Sequence, residues 1–235
     1  MSDRLGWEPI WNKPIIPKRF ESFAAPGTTV VEWANALPVG IAILDVGCGV
    51  GRHCVYLGAR GFRMAGTDIS PSGVERSRAA CAQRNIPLDA QVAPMIALPW
   101  PDNTFEGALS ISTIHHELRA NVAQAIREVA RVLKPGGSFL VDFPCTDTLD
   151  YDRLRAEVAA GQQQEIEPNT FIDMRPDSED IDGYLPHHFS DEADVRDLLS
   201  PFEIVRLWAA LHPARPARGP GNVGKWVAWA RKPTL

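Results

Sequence analysis

Between Ile41 and Val141, short apolar runs alternate with stretches of helical periodicity, the pattern of strands joined by crossover helices in a parallel sheet. Ile41 to Val46 reads as a buried strand. It ends at Gly47-Cys48-Gly49-Val50-Gly51, after which Cys54, Val55 and Leu57 share one helical face until Gly61 stops the helix. Phe62 to Thr67 makes a second strand closed by Asp68, and Ser70-Pro71 supplies a cap and a first-turn proline for a helix reaching about Arg84. Leu88 to Val92 and Phe105 to Ser112 follow as strands. Val122, Ile126, Val129 and Leu133 recur at helical spacing, Lys134-Pro135-Gly136-Gly137 ends that helix, and Phe139 to Phe143 is the fifth strand. Phe202 to Trp208 and Lys225 to Arg231 complete the set as a close, antiparallel pair at one edge. The expected fold is α/β: a doubly wound, mostly parallel seven-stranded sheet with helices on both faces and an antiparallel edge strand.

Two regions fall outside this frame. Residues 1–37 carry Trp7, Trp11, Phe20, Phe23 and Trp33 among prolines, too aromatic for a solvated tail, and read as a leader that packs onto a body spanning 38–235. Residues 149–189 have weak periodicity and an acidic run (Asp173, Asp177, Glu179, Asp180, Asp182), read as a solvated face on a substrate-lid insertion over the sheet edge. Ser190-Asp191-Glu192 then caps a helix through Leu199. At 235 residues, one elaborated domain is expected. An apolar share of 45% and a charged share of 23% rule out a disordered chain. The net charge of −5 supplies no broad positive field for a phosphate backbone, so no nucleic-acid partner is expected. Four cysteines without a CxxC pair point to neither a disulfide framework nor a zinc site. The first twenty residues lack the apolar stretch of a signal peptide, and nowhere do about 18 apolar residues run together. A cytoplasmic monomer or homodimer without a membrane contact is expected.

The chemistry concentrates at the glycine turn. A dinucleotide site requires G-x-G-x-x-G, but Arg52 stands at the third glycine position and the pattern is G-x-G-x-G. Asp45 at the strand end would repel a pyrophosphate and tolerate an ammonium-bearing zwitterion. An NAD-dependent oxidoreductase is disfavoured on both counts. Asp68, 17 residues past Gly51, has the reach to accept hydrogen bonds from both hydroxyls of a ribose. Ribose plus an amino-acid head without pyrophosphate describes S-adenosylmethionine.

The stretches ILDVGCGVGRHCVYLGARGF, GTDIS, LPWPDNTFEGALS and RVLKPGGSFLV resemble, in order, the class I Rossmann-like SAM-dependent methyltransferases. Pro186-His187-His188-Phe189-Ser190 before an acidic helix resembles the small-molecule branch that includes tellurite-resistance-type enzymes. The resemblance implies that the turn of Gly47, Cys48 and Gly49 holds the cofactor's methionine part, with Asp45 near its ammonium. It implies that Asp68 takes the ribose hydroxyls and Ile69 lies against the adenine. The position where many relatives place a carboxylate for the adenine amino group falls at Pro94, which leaves the backbone of Met95 and Ile96 with apolar packing. Ser112, at the end of the fourth strand, completes the expected cofactor set.

His115 and His116 follow that strand at the open end of the sheet, where an imidazole can accept a proton from a nucleophile. His116 is the first candidate because it matches the histidine of many relatives, with His115 second; the alternative is a packing pair. Trp11, Tyr184, His187 and His188 are expected to line the substrate space. No metal is expected, since adjacent histidines point apart. The expected reaction is methyl transfer from S-adenosylmethionine to an O, N or S nucleophile of a small molecule, releasing S-adenosylhomocysteine. The leader, the 149–189 insertion and the 209–224 loop would choose the substrate. The alternatives are an RNA or protein methyltransferase using Arg215, Arg218, Lys225 and Arg231 as a basic edge, or a cofactor-binding protein without transfer activity.

Overall fold

A computed structural model of the protein describes residues 7–13, 25–173, 185–214 and 220–234. A single-turn helix, α1 (Glu8–Trp11), is followed by α2 (Thr28–Asn35). The alternating region comprises β1 (Ala42–Val46), α3 (Arg52–Ala59), β2 (Arg63–Asp68), α4 (Pro71–Ala82), β3 (Leu88–Val92), β4 (Phe105–Ser110), α5 (Arg119–Val132) and β5 (Leu133–Pro144). The accessory segment contains α6 (Leu149–Ala159), β6 (Gln163–Glu167), β7 (Thr170–Asp173) and β8 (His187–His188). Helix α7 (Glu192–Leu198) and the hairpin β9 (Glu203–Pro213) and β10 (Asn222–Arg231) close the chain.

The main sheet has the order β3-β2-β1-β4-β5-β10-β9, with β3, β2, β1, β4 and β5 parallel. Strand β10 runs antiparallel to both β5 and β9. The antiparallel pair expected at one edge is thus β10 and β9, and the hairpin folds back so that its second strand fills the slot beside β5. From β1 the chain winds outward through β2 and β3, then returns to β4 on the other side. The order reverses between β1 and β4, which is where such sheets open a crevice at the strands' carboxyl ends.

The strands read as unbroken apolar runs because both faces are covered. Neighbours Ile43 and Leu44 point to opposite sides: Ile43 packs in a cluster with Trp33, Cys54 and Leu57, and Leu44 in another with Ile126, Val129 and Phe139. Each such side chain, fully buried, stabilises the fold by about 1.5–3 kcal/mol. The helix signals are used as written. Ser70 Oγ accepts from Gly73 N at 3.0 Å with Pro71 in the first turn of α4, and Asp191 accepts from Asp194 N at 2.8 Å to start α7.

Some boundaries differ from the reading above. Lys134-Pro135-Gly136-Gly137 does not separate helix from strand: β5 already pairs at Leu133 with Phe105, and the segment is a bulge before pairing resumes at Ser138 and Gly107. Gly136, at φ +77°, makes the bend. Strand β4 stops at Ser110, because Ser112 has left the extended region at φ +58°. Strands β9 and β10 are longer than expected and absorb half of the 209–224 loop, and residues 215–219 lie outside the described residues.

The insertion forms a three-stranded antiparallel sheet, β6-β7-β8, backed by a small core of Leu154, Phe171 and Phe189. Asp173 is buried at 4% exposure, a correction to the solvated reading for that residue, and the rest of the acidic run lies outside the described residues. So do Phe20 and Phe23 of the leader. Among the described residues, no helix is long and apolar enough to cross a membrane.

Candidate active site

At the crevice between β1 and β4, a cavity of about 530 Å³ runs from the glycine turn to the accessory sheet. That volume lies in the range of small-molecule sites. Gly47 and Gly49 take left-handed backbone, φ +78° and +51°. A Cβ on Gly47 would sit 2.0 Å from Thr113 Cγ2, so only glycine lets the turn pass under the loop that follows β4. Gly47 N and Cys48 N both donate to the Thr67 carbonyl, at 2.7 and 2.8 Å, which fastens the turn to the end of β2.

Asp68 joins the same two elements through its side chain. Its Oδ2 accepts from Gly49 N at 2.8 Å and its Oδ1 from Ser70 N at 2.9 Å. Burial raises its pKa, opposed by the Ser70 and Gly49 amides. Asp68 and Ile69 line the cavity, as do Met95, Ile96 and Ser112. Pro94 lines it too, at the position where a carboxylate is missing. Cys48 contributes backbone to the turn, but its side chain turns inward to Gly66 and is 6% exposed. The Asp45 carboxylate is also buried beneath the turn and is not among the cavity-lining residues; Cys54 Sγ donates to it at 3.6 Å. Burial pushes Asp45 up to about 7, with Cys54 and the Arg52 charge opposing.

Of the histidines, His116 lines the cavity. Its Nδ1 lies 3.0 Å from the Thr113 carbonyl. A carbonyl only accepts, so Nδ1 carries the proton and Nε2 keeps its lone pair. The ring packs edge-on against Trp7, with centroids 4.8 Å apart, and against His187 at 4.5 Å. Burial, then the neighbouring His187 and Lys225, hold His116 well below the ordinary histidine pKa, against the Thr113 hydrogen bond. His115 lies behind it, 4% exposed and outside the lining, and is also held well below the usual value by burial and by His116. His187 backs His116 and is not itself in the lining.

His188 is a correction to the expected substrate set. Its Nδ1 lies 2.8 Å from Thr170 Oγ1 and its Nε2 2.9 Å from Asp194 Oδ2. Asp194 also accepts from Ser190 Oγ at 2.8 Å and Arg119 Nε at 2.6 Å, so His188 ties β8 to α7 and α5 inside the protein. Tyr184 lies outside the described residues.

Trp11 lines the cavity, and so does Trp7, which stacks on it at 5.8 Å. The far wall is Ile166, Ile172, Leu185 and Pro186 from the accessory segment, with Leu118 beside it. The sequence reading missed Ile166, although Glu165-Ile166-Glu167 alternates as a half-buried strand does. It also missed Thr113 and Glu117, two more lining residues in the loop after β4. Among the described residues, no group of three His, Cys, Asp or Glu is placed to hold a metal ion.

Residues 44–141 match a family described as methyltransferase domain. Over these residues the chain is similar to SAM-dependent methyltransferases. The S-adenosyl-L-methionine-dependent Diels-Alderase iccD of Talaromyces variabilis is 36% identical over 108 residues, covering 44% of this chain and 36% of its own length. The chain thus spans about a third of that relative. The 27-O-demethylrifamycin SV methyltransferase of Amycolatopsis mediterranei is 28% identical over 220 residues, 86% of this chain and 77% of its own. Among solved structures, the 1,6-didemethyltoxoflavin-N1-methyltransferase of Burkholderia thailandensis, with bound 1,6-didemethyltoxoflavin and S-adenosylhomocysteine, superposes with a TM-score of 0.66. It is 20% identical, and the match covers 92% of this chain and 81% of that one, which shows a shared methyltransferase fold.

The residues present fit the family's cofactor. A cradle that a Cβ would fill, an acidic residue at the end of β2 and an apolar wall for a base lie along one cavity.

Proposed function

We propose that the protein binds S-adenosylmethionine along the β1 and β2 ends of the cavity and transfers its methyl group to an O, N or S nucleophile of a small molecule. The observation that carries this reading is one cavity with the glycine turn at one end and the aliphatic wall of the accessory sheet at the other. Two similar proteins, the rifamycin and toxoflavin methyltransferases, are named for small-molecule substrates, which supports the choice of class.

S-adenosylmethionine, when bound, supplies a methyl group already activated on a sulfonium. The protein's residues then have five tasks. The turn of Gly47 and Gly49 gives the amino-acid head a close backbone surface, and Asp68 accepts from the ribose hydroxyls. Ile69, Met95 and Ile96 hold the base. Trp7, Trp11 and the wall of Ile166, Ile172, Leu185 and Pro186 exclude water and align the acceptor, and such alignment is worth roughly 7–11 kcal/mol of barrier. His116 Nε2 takes the proton of a nucleophile that arrives protonated. An imidazole held below its usual pKa is a weak base, so it suits an acidic acceptor such as a phenol or an aromatic N–H. On this reading residues 1–37 form a cover, residues 38–235 the catalytic body, and the protein works in the cytoplasm as a monomer or homodimer without nucleic acid.

The test is to supply S-adenosylmethionine with a panel of phenols, N-heterocycles and thiols and to measure S-adenosylhomocysteine. Product with a panel member supports the reading. The similarity to a protein named a Diels-Alderase favours a second reading, in which the cofactor is bound and not consumed. Tight calorimetric binding of S-adenosylhomocysteine, with no methylated product from any acceptor class, would decide for the second.

A further inference from the structure

Three polar side chains from three parts of the sheet close on one another beside the cavity. Ser112 follows β4 with its backbone in the left-handed region, φ +58°, a conformation that a side-chain-bearing residue keeps only when its surroundings impose it. Two contacts impose it. Its N–H donates to Asp142 Oδ1 at 2.7 Å, and its Oγ accepts from Lys225 Nζ at 2.8 Å. Lys225 Nζ also donates to Asp142 Oδ2 at 3.2 Å, which closes the ring. Asp142 lies in β5 and is 7% exposed, and Lys225 comes from the adjacent β10, opposite Pro144.

The ring has a direction. An ammonium has only donors, so its bond to Ser112 Oγ occupies an acceptor position and leaves the hydroxyl hydrogen free to point elsewhere. Ser112 lines the cavity, so that hydrogen is presented to a ligand. The neighbouring His116 offers an acceptor at Nε2, so the two ends of the site are chemically distinct. Asp142 is paired with Lys225, and Arg52 feels Asp45 as well as Asp142, so it is the aimed hydroxyl hydrogen that selects an acceptor-only group such as a carboxylate.

We infer that Lys225 and Asp142 are positioning residues that turn Ser112 into a hydrogen-bond donor for a carboxylate, that of the cofactor's amino-acid head. The inference rests on the cofactor reading above and adds to it two residues that touch neither cofactor nor substrate. Removing the Lys225 ammonium frees Ser112 to rotate, so the loss passes through Ser112. Two ligands separate this from general damage: S-adenosylhomocysteine carries the carboxylate, and 5′-deoxy-5′-methylthioadenosine shares its nucleoside and sulfur without the amino-acid head.

Calorimetric titration of both ligands into the wild type, Ser112→Ala, Lys225→Met, the double variant and Lys225→Arg provides the test. Wild type that fails to bind S-adenosylhomocysteine overturns the cofactor reading itself. Given that binding, Ser112→Ala and Lys225→Met are each expected to weaken S-adenosylhomocysteine roughly tenfold. The double variant is expected to be no worse than either single one, because both remove the same interaction. Methylthioadenosine affinity stays the same in all, and Lys225→Arg restores most of the loss. Additive losses, an unchanged affinity in Lys225→Met, or an equal loss of methylthioadenosine would overturn the inference. Should Lys225→Met not fold, Asp142→Asn carries the same expectations for both ligands.

Discussion

Glu8 and Ser70, 62 residues apart in the chain, are joined by a hydrogen bond of 2.5 Å in which the Ser70 hydroxyl donates to the Glu8 carboxylate. Ser72 adds its N–H at 3.1 Å and its hydroxyl at 2.5 Å. The carboxylate thus sits at the positive end of α4, where a negative charge is favoured. The Ser70 bond first, then those of Ser72, hold Glu8 below its usual pKa. The same single-turn helix carries Trp7 and Trp11 over the cavity, with Trp11 Cζ2 3.4 Å from where a Gly49 Cβ would stand. Glu8 therefore pins the cover to α4, alongside Arg76 of that helix, which donates to the Lys13 carbonyl. Glu8→Gln should speed release of S-adenosylhomocysteine by about three- to tenfold, read by stopped-flow tryptophan fluorescence. The depressed pKa sets the sign of the pH effect. The latch is complete at neutral pH and is lost only as pH falls through the lowered folded-state pKa, so the ratio of Glu8→Gln to wild-type release rates should be constant from pH 6 to 8.

His116 separates chemistry from binding. Its Nδ1 is committed to the Thr113 carbonyl, so replacement by alanine removes the acceptor nitrogen, Nε2, of a cavity-lining residue. For an acceptor that arrives protonated, turnover should fall 10²- to 10⁴-fold. S-adenosylhomocysteine affinity should be nearly unchanged. Because burial keeps this imidazole neutral well below the ordinary value, the acidic limb of the wild-type rate profile should lie below about pH 6.5. A limb at 6.5 that survives in His116→Ala would remove the residue as the base.

What was legible in the sequence is what is local. The apolar strand run, the glycine turn and Asp68 lie within 28 residues of one another, and their spacing alone places them at one crevice. The Ser70 and Asp191 caps are legible for the same reason. The Glu8–Ser70 and Lys225–Ser112 contacts span 62 and 113 residues, and no periodicity encodes them. His188 looked like a substrate ligand because its partners, Thr170 and Asp194, are brought to it only by the folding of the insertion against α7. The Lys134 to Gly137 segment signalled a stop, which it is for the helix; the strand had already begun, and the sheet accommodates the bend as a bulge.

Asp68 serves the fold and the ligand at once, and two substitutions divide the roles. Asp68→Ala leaves the Gly49 and Ser70 amides without their buried acceptor, so both stability and S-adenosylhomocysteine affinity should drop, each by about 1.5–3 kcal/mol. Asp68→Asn keeps one oxygen, which can serve only one amide, and loses the charge. It should recover part of the melting temperature and little of the affinity. Equal recovery of both in paired thermal melts and titrations would show that Asp68 acts only as a brace for the turn.

Asp45 trades stability for charge. Its carboxyl is 2% exposed, Cys54 Sγ donates to it at 3.6 Å, and His53 Nδ1 stands 4.0 Å away. Burial lifts it to about 7, against about 3.9 in an unfolded chain. The fold therefore favours the protonated form, and the stability it contributes is complete below pH ~4 and lost as pH rises through about 7. Asp45→Asn, neutral and of the same size, should be more stable than wild type at pH 8 by about 2–4 kcal/mol, a difference that vanishes near pH 4. His53, lowered by burial to about 3, has the opposite slope, with stability lost as pH falls from about 6.5. It is present in both proteins, so the difference between their urea midpoints isolates Asp45. Cofactor binding should run the other way. Wild-type affinity for S-adenosylhomocysteine should increase as pH rises through 7 and the carboxylate forms beneath the ammonium, whereas the Asn variant should be weaker and flat. A variant that binds as tightly as wild type at pH 8 would leave Asp45 with a structural cost and no electrostatic role.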